Sequence, residues 1–517
     1  MDEQANYDVE QIAVSSVVAA LSYGLDLTEG QPMGHSERTC VIGMRLGQEL
    51  GLDEEELGHL YYALLMKDAG CSSNASRMFQ IMGSDDIAAK RDVKTTDWTK
   101  LNRDSIEYAL SHIKPHAPFI ERVQAFVEMA SNQKRNAGEL VKIRCERGAS
   151  IARRMGLSEE TAEAIHGLDE LWNGEGHPHG FRGEDIPRLS RIMSLAQTAE
   201  VFYRARGGYA QGGTAALEVA RARSGHWFDP QMVLAFESIA RRGELWREVE
   251  QASTLVATLE PGEKVWKATD ETLEAICLAF ADVIDAKSPF THRHSTGVAG
   301  AAQAIARSLG LPEDEVVLLR RAALLHDIGK LSVSNSILDK PGKLDEGEWR
   351  IVREHPRYSF EILRRIPGFS SIAELAASHH EKLDGSGYWR GLDASQLSTT
   401  ARILVVADVY DALAARRPYR DALPKEQVLA IMARETPRAI DAQCFYALSG
   451  AYQQAESLAE NLANLANGVG TSQDEVSRTK DVRYINEART PERELLPTAA
   501  VRQRRRTATR LAEGCSR

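Results

Sequence analysis

Apolar residues recur at helical spacing along most of the chain. In the stretch LPEDEVVLLRRAALLHDIGK, Val316, Leu319, Ala323 and Leu324 follow a helical period. Pro312 suits a first helical turn, and the helix dipole favours the acidic residues that follow it. Few segments alternate with period two. We therefore predict an all-α protein.

The helical pattern occurs twice. Segments of 37 positions that begin at His35 and His294 align without a gap. Further on, NGEGHPHGF matches DGSGYWRGL, SRIMSLAQTAEVF matches ARILVVADVYDAL, and WFDPQMVLAF matches AIDAQCFYAL. The first copy carries about 48 extra residues between Asp68 and Leu168. We place the copies at residues 1–257 and 258–455, followed by a polar, arginine-ended tail, 456–517, that we expect to be disordered.

Composition narrows the class of protein. A chain of 517 residues with 43% hydrophobic residues can form two to four domains without disulfides. Its six cysteines form no CxxC pair, which favours free thiols in a reducing cytoplasm. Neither a signal peptide nor an apolar run of about 18 residues is present, so no membrane span is expected. The net charge of −11 argues against nucleic acid as a partner, although the basic tail leaves contacts with acidic surfaces open.

Several polar residues are unusual for their context in the second copy. His326 and Asp327 end one apolar helical run, and Asp408 lies inside another. A buried carboxylate there needs a partner, either a metal ion or an arginine. His355 precedes a proline and therefore lies where a helix begins. The pair His379–His380 and the upstream His294 complete the set.

Five imidazoles and two carboxylates without a thiolate favour two divalent ions, such as iron or manganese, over structural zinc. Two adjacent metals suit phosphoester hydrolysis through a bridging hydroxide. The two oxygens of Asp327 make it the candidate bridging ligand. Lys330 follows one helical turn later. Arg417 and Arg420 of RRPYR have planar forks that suit phosphate, with a solvated helix end as the alternative.

The motifs LLHDIGKLSV, ILDKPGKLDEGEW, EHPRYSFEIL, HHEKLDGSGY, ARILVVADVYDAL and RRPYR resemble the HD-GYP family, a subgroup of the HD phosphohydrolase superfamily. The resemblance covers residues 270–455. It implies an all-helical, metal-dependent enzyme that hydrolyses cyclic di-GMP to the linear dinucleotide pGpG and to GMP; some members prefer cyclic GMP-AMP. It also implies diguanylate-cyclase-type signalling proteins and a second copy of the chain as partners.

The same resemblance assigns roles to individual residues. Catalytic roles fall to Asp327 and Lys330, and substrate contacts to Lys330, Tyr388, Arg417 and Arg420. The implied metal ligands are His294, His326, Asp327, His355, His379, His380 and Asp408.

Two positions depart from the family pattern. Trp389 stands in place of the family proline, so we expect an altered loop shape. Phe290 stands where members with a third metal carry a carboxylate, so we predict two ions.

The first copy has lost most of the ligands. It keeps His35 and Asp68, whereas the other aligned positions hold Lys67, Cys71, Arg144, Leu168, Asp169 and Gln197. We interpret it as a degenerate HD-like domain that serves packing, dimerisation or regulation, with Lys67 able to pair with Asp68. A metal site rebuilt from His166, His177 and His179 is the alternative.

Two other functions remain open. The chain could be a cyclic-dinucleotide sensor or adaptor that binds with little turnover and recruits a signalling partner. It could also be an HD nucleotidase, which the motifs after the histidine pair disfavour.

Overall fold

The computed structural model describes residues 12–97, 103–115, 117–131, 133–262, 266–416, 418 and 420–451. Within these ranges every regular element is a helix, and β-pairing is limited to isolated bridges. The all-α prediction is confirmed. None of the described helices combines the length and apolar character needed to cross a membrane. The predicted tail, 456–517, lies outside the described residues.

The helices of the first half are α1 Val14–Thr28, α2 His35–Glu49, α3 Glu54–Met66, α4 Ala75–Met82, α5 Asp86–Val93, α6 Arg103–His112, α7 Phe119–Ser131, α8 Gln133–Arg154, α9 Glu159–His166, α10 Arg188–Ala205, α11 Tyr209–Ala222, α12 Pro230–Arg241, α13 Glu244–Glu250 and α14 Ala252–Leu255. Those of the second half are α15 Asp270–Asp285, α16 His294–Ser308, α17 Glu313–Leu325, α18 Asn335–Leu338, α19 Glu346–Arg353, α20 His355–Leu363, α21 Ser370–Ala377, α22 Thr399–Ala414 and α23 Lys425–Glu435. Short 3-10 helices lie at Gly183–Asp185, Val256–Leu259 and Ile328–Ser332.

The sequence repeat is also a structural repeat. Helices α2 and α3 have the same lengths and spacing as α16 and α17, and α9 has the same length as α21. Helices α4–α7 fill the insertion that the alignment predicted in the first copy. The tandem helical architecture is therefore confirmed, while the limits 1–257 and 258–455 stay predictions.

Helix α17 shows why the chain turns at the predicted chemistry. Its apolar stripe, including Val316, Leu319 and Leu324, is fully buried. The helix ends at Leu325, and Gly329 lies in the 3-10 helix that follows. A Cβ at Gly329 would lie 2.0 Å from the carbonyl oxygen of His355. Glycine is required there because α20 approaches so closely, and this approach brings His355 beside the turn.

The segment that follows this turn packs against the first copy. Helix α1 contacts the 3-10 helix Ile328–Ser332. Asp86, at the start of α5, accepts hydrogen bonds from the backbone N–H of Asn335 (2.7 Å) and the hydroxyl of Ser334 (2.9 Å). Its other oxygen lies 3.7 Å from Nζ of Lys287. All these groups are buried, so the two copies share a polar core next to the candidate site.

Candidate metal centre

The orientation of each of four histidine rings is fixed by a hydrogen bond at Nδ1. The Nδ1 atoms of His326, His355 and His379 lie 2.6–2.7 Å from the carbonyl oxygen three residues earlier in each case. Nδ1 of His294 lies 2.7 Å from Oδ2 of Asp411. An Nδ1–H that donates to an oxygen leaves Nε2 as a lone pair. The four rings therefore present Nε2 to a common centre.

Two of these lone pairs converge on one oxygen of Asp327. Nε2 of His355 and Nε2 of His379 lie 3.0 Å apart, and Oδ1 of Asp327 lies 3.3 and 3.4 Å from them. Burial lowers the pKa of both rings, that of His379 to about 4, so both are neutral near pH 7. Three lone-pair donors this close repel one another unless a cation lies between them. Ligand atoms at right angles around an ion with bonds of about 2.1 Å have this spacing.

The other oxygen of Asp327 faces the second pair of rings. Its Oδ2 lies 3.5 Å from Nε2 of His294 and 3.3 Å from Nε2 of His326. Oδ1 of Asp408 lies 3.3 and 3.8 Å from the same two nitrogens. Both nitrogens, and Oδ1 of Asp327, are buried without a hydrogen-bond partner. The donors present thus fit two ions, with Asp327 between them.

The charges of the cluster also favour cations. Burial by itself would raise the pKa of Asp327 and Asp408, but the histidines, and Lys330 at Asp327, hold both pKa values well below the usual range. Burial would lower the pKa of His294, yet Asp327, Asp408 and Asp411 raise it well above its ordinary value. A divalent ion would replace the proton on His294 and balance the buried carboxylates.

Other predicted site residues lie at the edge of this cluster. Nδ1 of His380 is 3.7 Å from Oδ2 of Asp408, and its ring lies 4.6 Å from that of Tyr388. Nζ of Lys330 is 2.5 Å from Oδ2 of Asp327.

Within the described residues, no contact brings Arg420 of RRPYR to the cluster. Arg420 donates to the carbonyl oxygens of Leu413 (2.9 Å) and Ala412 (3.0 Å), at the end of α22. Because the last carbonyls of a helix lack intrahelical partners, this guanidinium acts as a helix cap. Phosphate binding by Arg420 stays a prediction. Arg417 lies outside the described residues.

The loop after the histidine pair is held by Glu381. This carboxylate accepts the backbone N–H groups of Arg390 (3.0 Å) and Leu392 (2.9 Å). Glu170 holds the matching loop of the first copy in the same way, so the turn belongs to the fold. Trp389 has a φ of 89°, a region closed to proline. The Trp389 ring lies 5.4 Å from the ring of Phe360. At this position the loop therefore has a backbone conformation and a packing contact that the family proline could not provide.

In the first copy, charged side chains form ion pairs at the positions that align with the predicted ligands. Lys67, at the position of His326, donates to Oδ2 of Asp68. Lys94 lies 2.8 Å from Glu29 and 3.7 Å from Asp68, and Arg144 pairs with Asp169.

One metal-like grouping in that copy, Glu29–Asp68–Cys71, lies within this network. Burial raises the pKa of the Cys71 thiol well above its usual value, and its sulfur lies 3.6 Å from Oδ1 of Asp68 as a hydrogen-bond donor. The rings of His166 and His179 lie edge to face at 5.0 Å, and no donor group among the described residues contains either of them. The predicted pairing of Lys67 with Asp68 is seen.

Sequence reasoning missed two acids that support the site. Asp411 orients His294, and it follows Asp408 by one turn of α22, a spacing that could have identified it. Asp285 accepts the N–H and the hydroxyl of Ser295 and so anchors the start of α16. Burial raises the pKa of Asp285 to about 7. No local sequence signal pointed to it.

A helical domain with buried histidines and aspartates around two cation positions defines the class of HD-type metal-binding hydrolases. The sequence pattern of the HD domain family matches residues 124–232 and 279–444, one segment in each half. The chain belongs to the HD domain family, and its motifs and relatives are of the HD-GYP type.

Three relatives show how far the likeness extends. The chain is 44% identical over 440 residues to 3'3'-cGAMP-specific phosphodiesterase 3 of Vibrio cholerae, covering 85% of this chain and 94% of the relative. It is 40% identical over 190 residues to a cyclic di-GMP phosphodiesterase response regulator of Xanthomonas campestris, covering 36% of this chain and 49% of the relative. A crystal structure of a cyclic GMP-AMP specific phosphodiesterase from V. cholerae matches with a TM-score of 0.58 and 39% identity, over 86% of this chain and 98% of that one.

Proposed function

We propose that this chain is a metal-dependent phosphodiesterase that hydrolyses a cyclic dinucleotide in its second copy. The observation that carries the proposal is the convergence of His355 Nε2, His379 Nε2 and Asp327 Oδ1, at 3.0–3.4 Å, with hydrogen bonds that leave each nitrogen a lone pair. Such a set suits an ion and has no other evident use in a buried core.

The proposed ligands divide between two ions. His355, His379 and His380 would hold one, and His294, His326 and Asp408 the other, with one oxygen of Asp327 directed to each. Divalent ions bound there, with iron or manganese as the first candidates, would neutralise phosphate oxygens and lower the pKa of water. Lys330 would supply positive charge beside Asp327, and Tyr388 would border the entrance over His380.

For the substrate we propose 3'3'-cyclic GMP-AMP first and cyclic di-GMP second. The V. cholerae relative named for cyclic GMP-AMP aligns over 440 residues, and the relative named for cyclic di-GMP aligns over 190. Both substrates share the two phosphodiester links that the proposed chemistry needs.

The test is a side-by-side assay. Protein purified without oxygen should contain about two divalent ions per chain and hydrolyse both dinucleotides, cyclic GMP-AMP with the higher kcat/KM. His379→Ala and Asp327→Ala should lose both metal and turnover. His177→Ala, in the matching loop of the first copy, is the control and should retain both. Tight binding of dinucleotide by a fully metallated parent without turnover would refute the enzyme and favour a sensor.

A further inference from the structure

Arg353 lies at the edge of the metal centre, where the sequence motifs assigned no role. It is in the last turn of α19, two residues before His355, and its side chain is exposed. Its Cζ lies 5.9 Å from the ring centre of Tyr388 and 5.6 Å from that of Trp349. The Tyr388 ring lies in turn 4.6 Å from that of His380. A single aromatic ring thus separates this guanidinium from a proposed metal ligand.

The charge of Arg353 is not neutralised locally. Within the described part of the chain, no carboxylate lies within ion-pair distance of it. The carboxylates nearest in sequence have other partners: Glu354 accepts from Arg357 at 2.7 Å, and Glu348 accepts from Lys340 at 2.5 Å. The two aromatic rings restrict the guanidinium but leave its N–H edges and its charge available.

Among the described residues, two other predicted phosphate contacts already have partners. Lys330 is 2.5 Å from Asp327, and Arg420 caps α22 through its two carbonyl bonds. A cyclic dinucleotide carries two phosphodiesters, each with one negative charge. The metal centre would serve the phosphate under attack, so the second phosphate needs a different cation. An arginine held by aromatic rings offers a preorganised fork for two phosphate oxygens.

We propose that Arg353 binds the second, non-reacting phosphate of the cyclic dinucleotide, an inference that rests on the proposed function. Arg353 is then a substrate-binding residue, with Trp349 and Tyr388 fixing its orientation. Because this contact is the same in the ground state and the transition state, it should act mainly on KM.

The test compares Arg353→Ala with Arg350→Ala. Arg350 is exposed one turn earlier on α19, so both variants remove the same charge from the same helix. Arg353→Ala should lower kcat/KM for cyclic GMP-AMP about 10- to 100-fold, mainly through KM. It should leave hydrolysis of bis(p-nitrophenyl) phosphate, which has one phosphate, within about twofold. Arg350→Ala should leave both activities within about twofold.

A binding measurement separates this inference from the proposed function. Calorimetric titration of cyclic GMP-AMP into chelator-treated parent and Arg353→Ala protein requires no turnover. Weaker binding by the variant supports the phosphate contact even if the parent proves inactive, which would refute only the proposed function. Equal binding, or an equal loss of activity on the one-phosphate substrate, overturns the role of Arg353.

Discussion

The buried contact between the two copies predicts a stability effect dominated by hydrogen bonds rather than by the ion pair. Asp86 accepts from Asn335 N–H and Ser334 Oγ, at 2.7 and 2.9 Å, and lies 3.7 Å from the Lys287 ammonium. Asp86→Ala removes these three interactions and a longer ion pair of 4.0 Å with Lys90, whose ammonium also donates to the carbonyl oxygen of Cys71 at 2.6 Å. Asp86→Asn keeps an acceptor and removes only the charge. The two variants therefore separate the contributions.

The magnitude follows from the pKa of Lys287, which burial lowers to about 8. A lysine can avoid a buried charge by losing its proton, which at pH 7.5 costs about 4 kcal/mol from an ordinary pKa near 10.4. In the parent, the lowered pKa of Lys287 already costs the folded state about 3 kcal/mol of this amount. Loss of the counter-charge can thus add only about 1 kcal/mol. Two unpaired buried donors add about 1–3 kcal/mol each.

We therefore expect Asp86→Asn to lower the free energy of unfolding at pH 7.5 by about 1 kcal/mol, and Asp86→Ala by about 3–7 kcal/mol. The deficit of Asp86→Asn should shrink as the pH rises from about 7 to about 9.5, because in this window the folded parent loses the Lys287 proton that the folded variant has already lost. The unfolded lysine is the same in both proteins and does not contribute to the difference. Urea unfolding measures both effects. Asp85→Asn, at the exposed cap of α5, is the control and should be near neutral. Equal losses for the two Asp86 variants would refute the reasoning.

Three further outcomes are expected. Trp389→Pro, although it restores the family residue, should lower cyclic-dinucleotide turnover more than Trp389→Gly, because only glycine accepts a φ of 89°; equal activities would contradict this. Burial raises the pKa of Asp26 to about 7, so the folded state holds the proton and parent stability falls as pH rises from about 4 to 7. Asp26→Asn should remove this slope and gain up to about 4 kcal/mol relative to the parent at pH 8 in thermal unfolding, and an unchanged slope would contradict it. Asp411→Asn should weaken metal affinity about 10- to 100-fold in competition with a chelator, because it removes the charged partner of His294, and unchanged affinity would exclude that role.

Local patterns predicted much of the site. His326, Asp327 and Asp408 are recognisable because polar groups at the end of, or inside, apolar helical runs need a partner. Comparison of the two copies shows that the turn does not depend on the histidine pair. Glu170 and Glu381 hold equivalent loops, while the first copy lacks the two histidines. These inferences could be made from the sequence because spacing along a helix and the chemistry of a side chain are local properties.

The roles of the arginines could not be predicted in the same way. The motif RRPYR predicted that Arg420 binds phosphate. In the structure its guanidinium donates hydrogen bonds to two carbonyl oxygens at the end of α22. Arg353 belongs to no recognised motif. Its guanidinium has no carboxylate partner among the described residues because Glu348 and Glu354 accept from other side chains. The direction of a long, flexible side chain is decided by its neighbours in space, which sequence spacing does not specify. The sequence also predicted an altered loop shape at Trp389, but only the structure showed that this residue has a left-handed φ.

By itself the sequence determined the helical class, the tandem repeat and the types of donor side chain at the aligned positions of each copy. Only the tertiary structure decided that one oxygen of Asp327 faces His355 and His379 while the other faces His294 and His326. It alone also joined the copies through Asp86. The physical reason is that helical periodicity and donor chemistry are encoded within a few residues, whereas distances of about 3 Å between groups far apart in the chain arise only when the whole core packs.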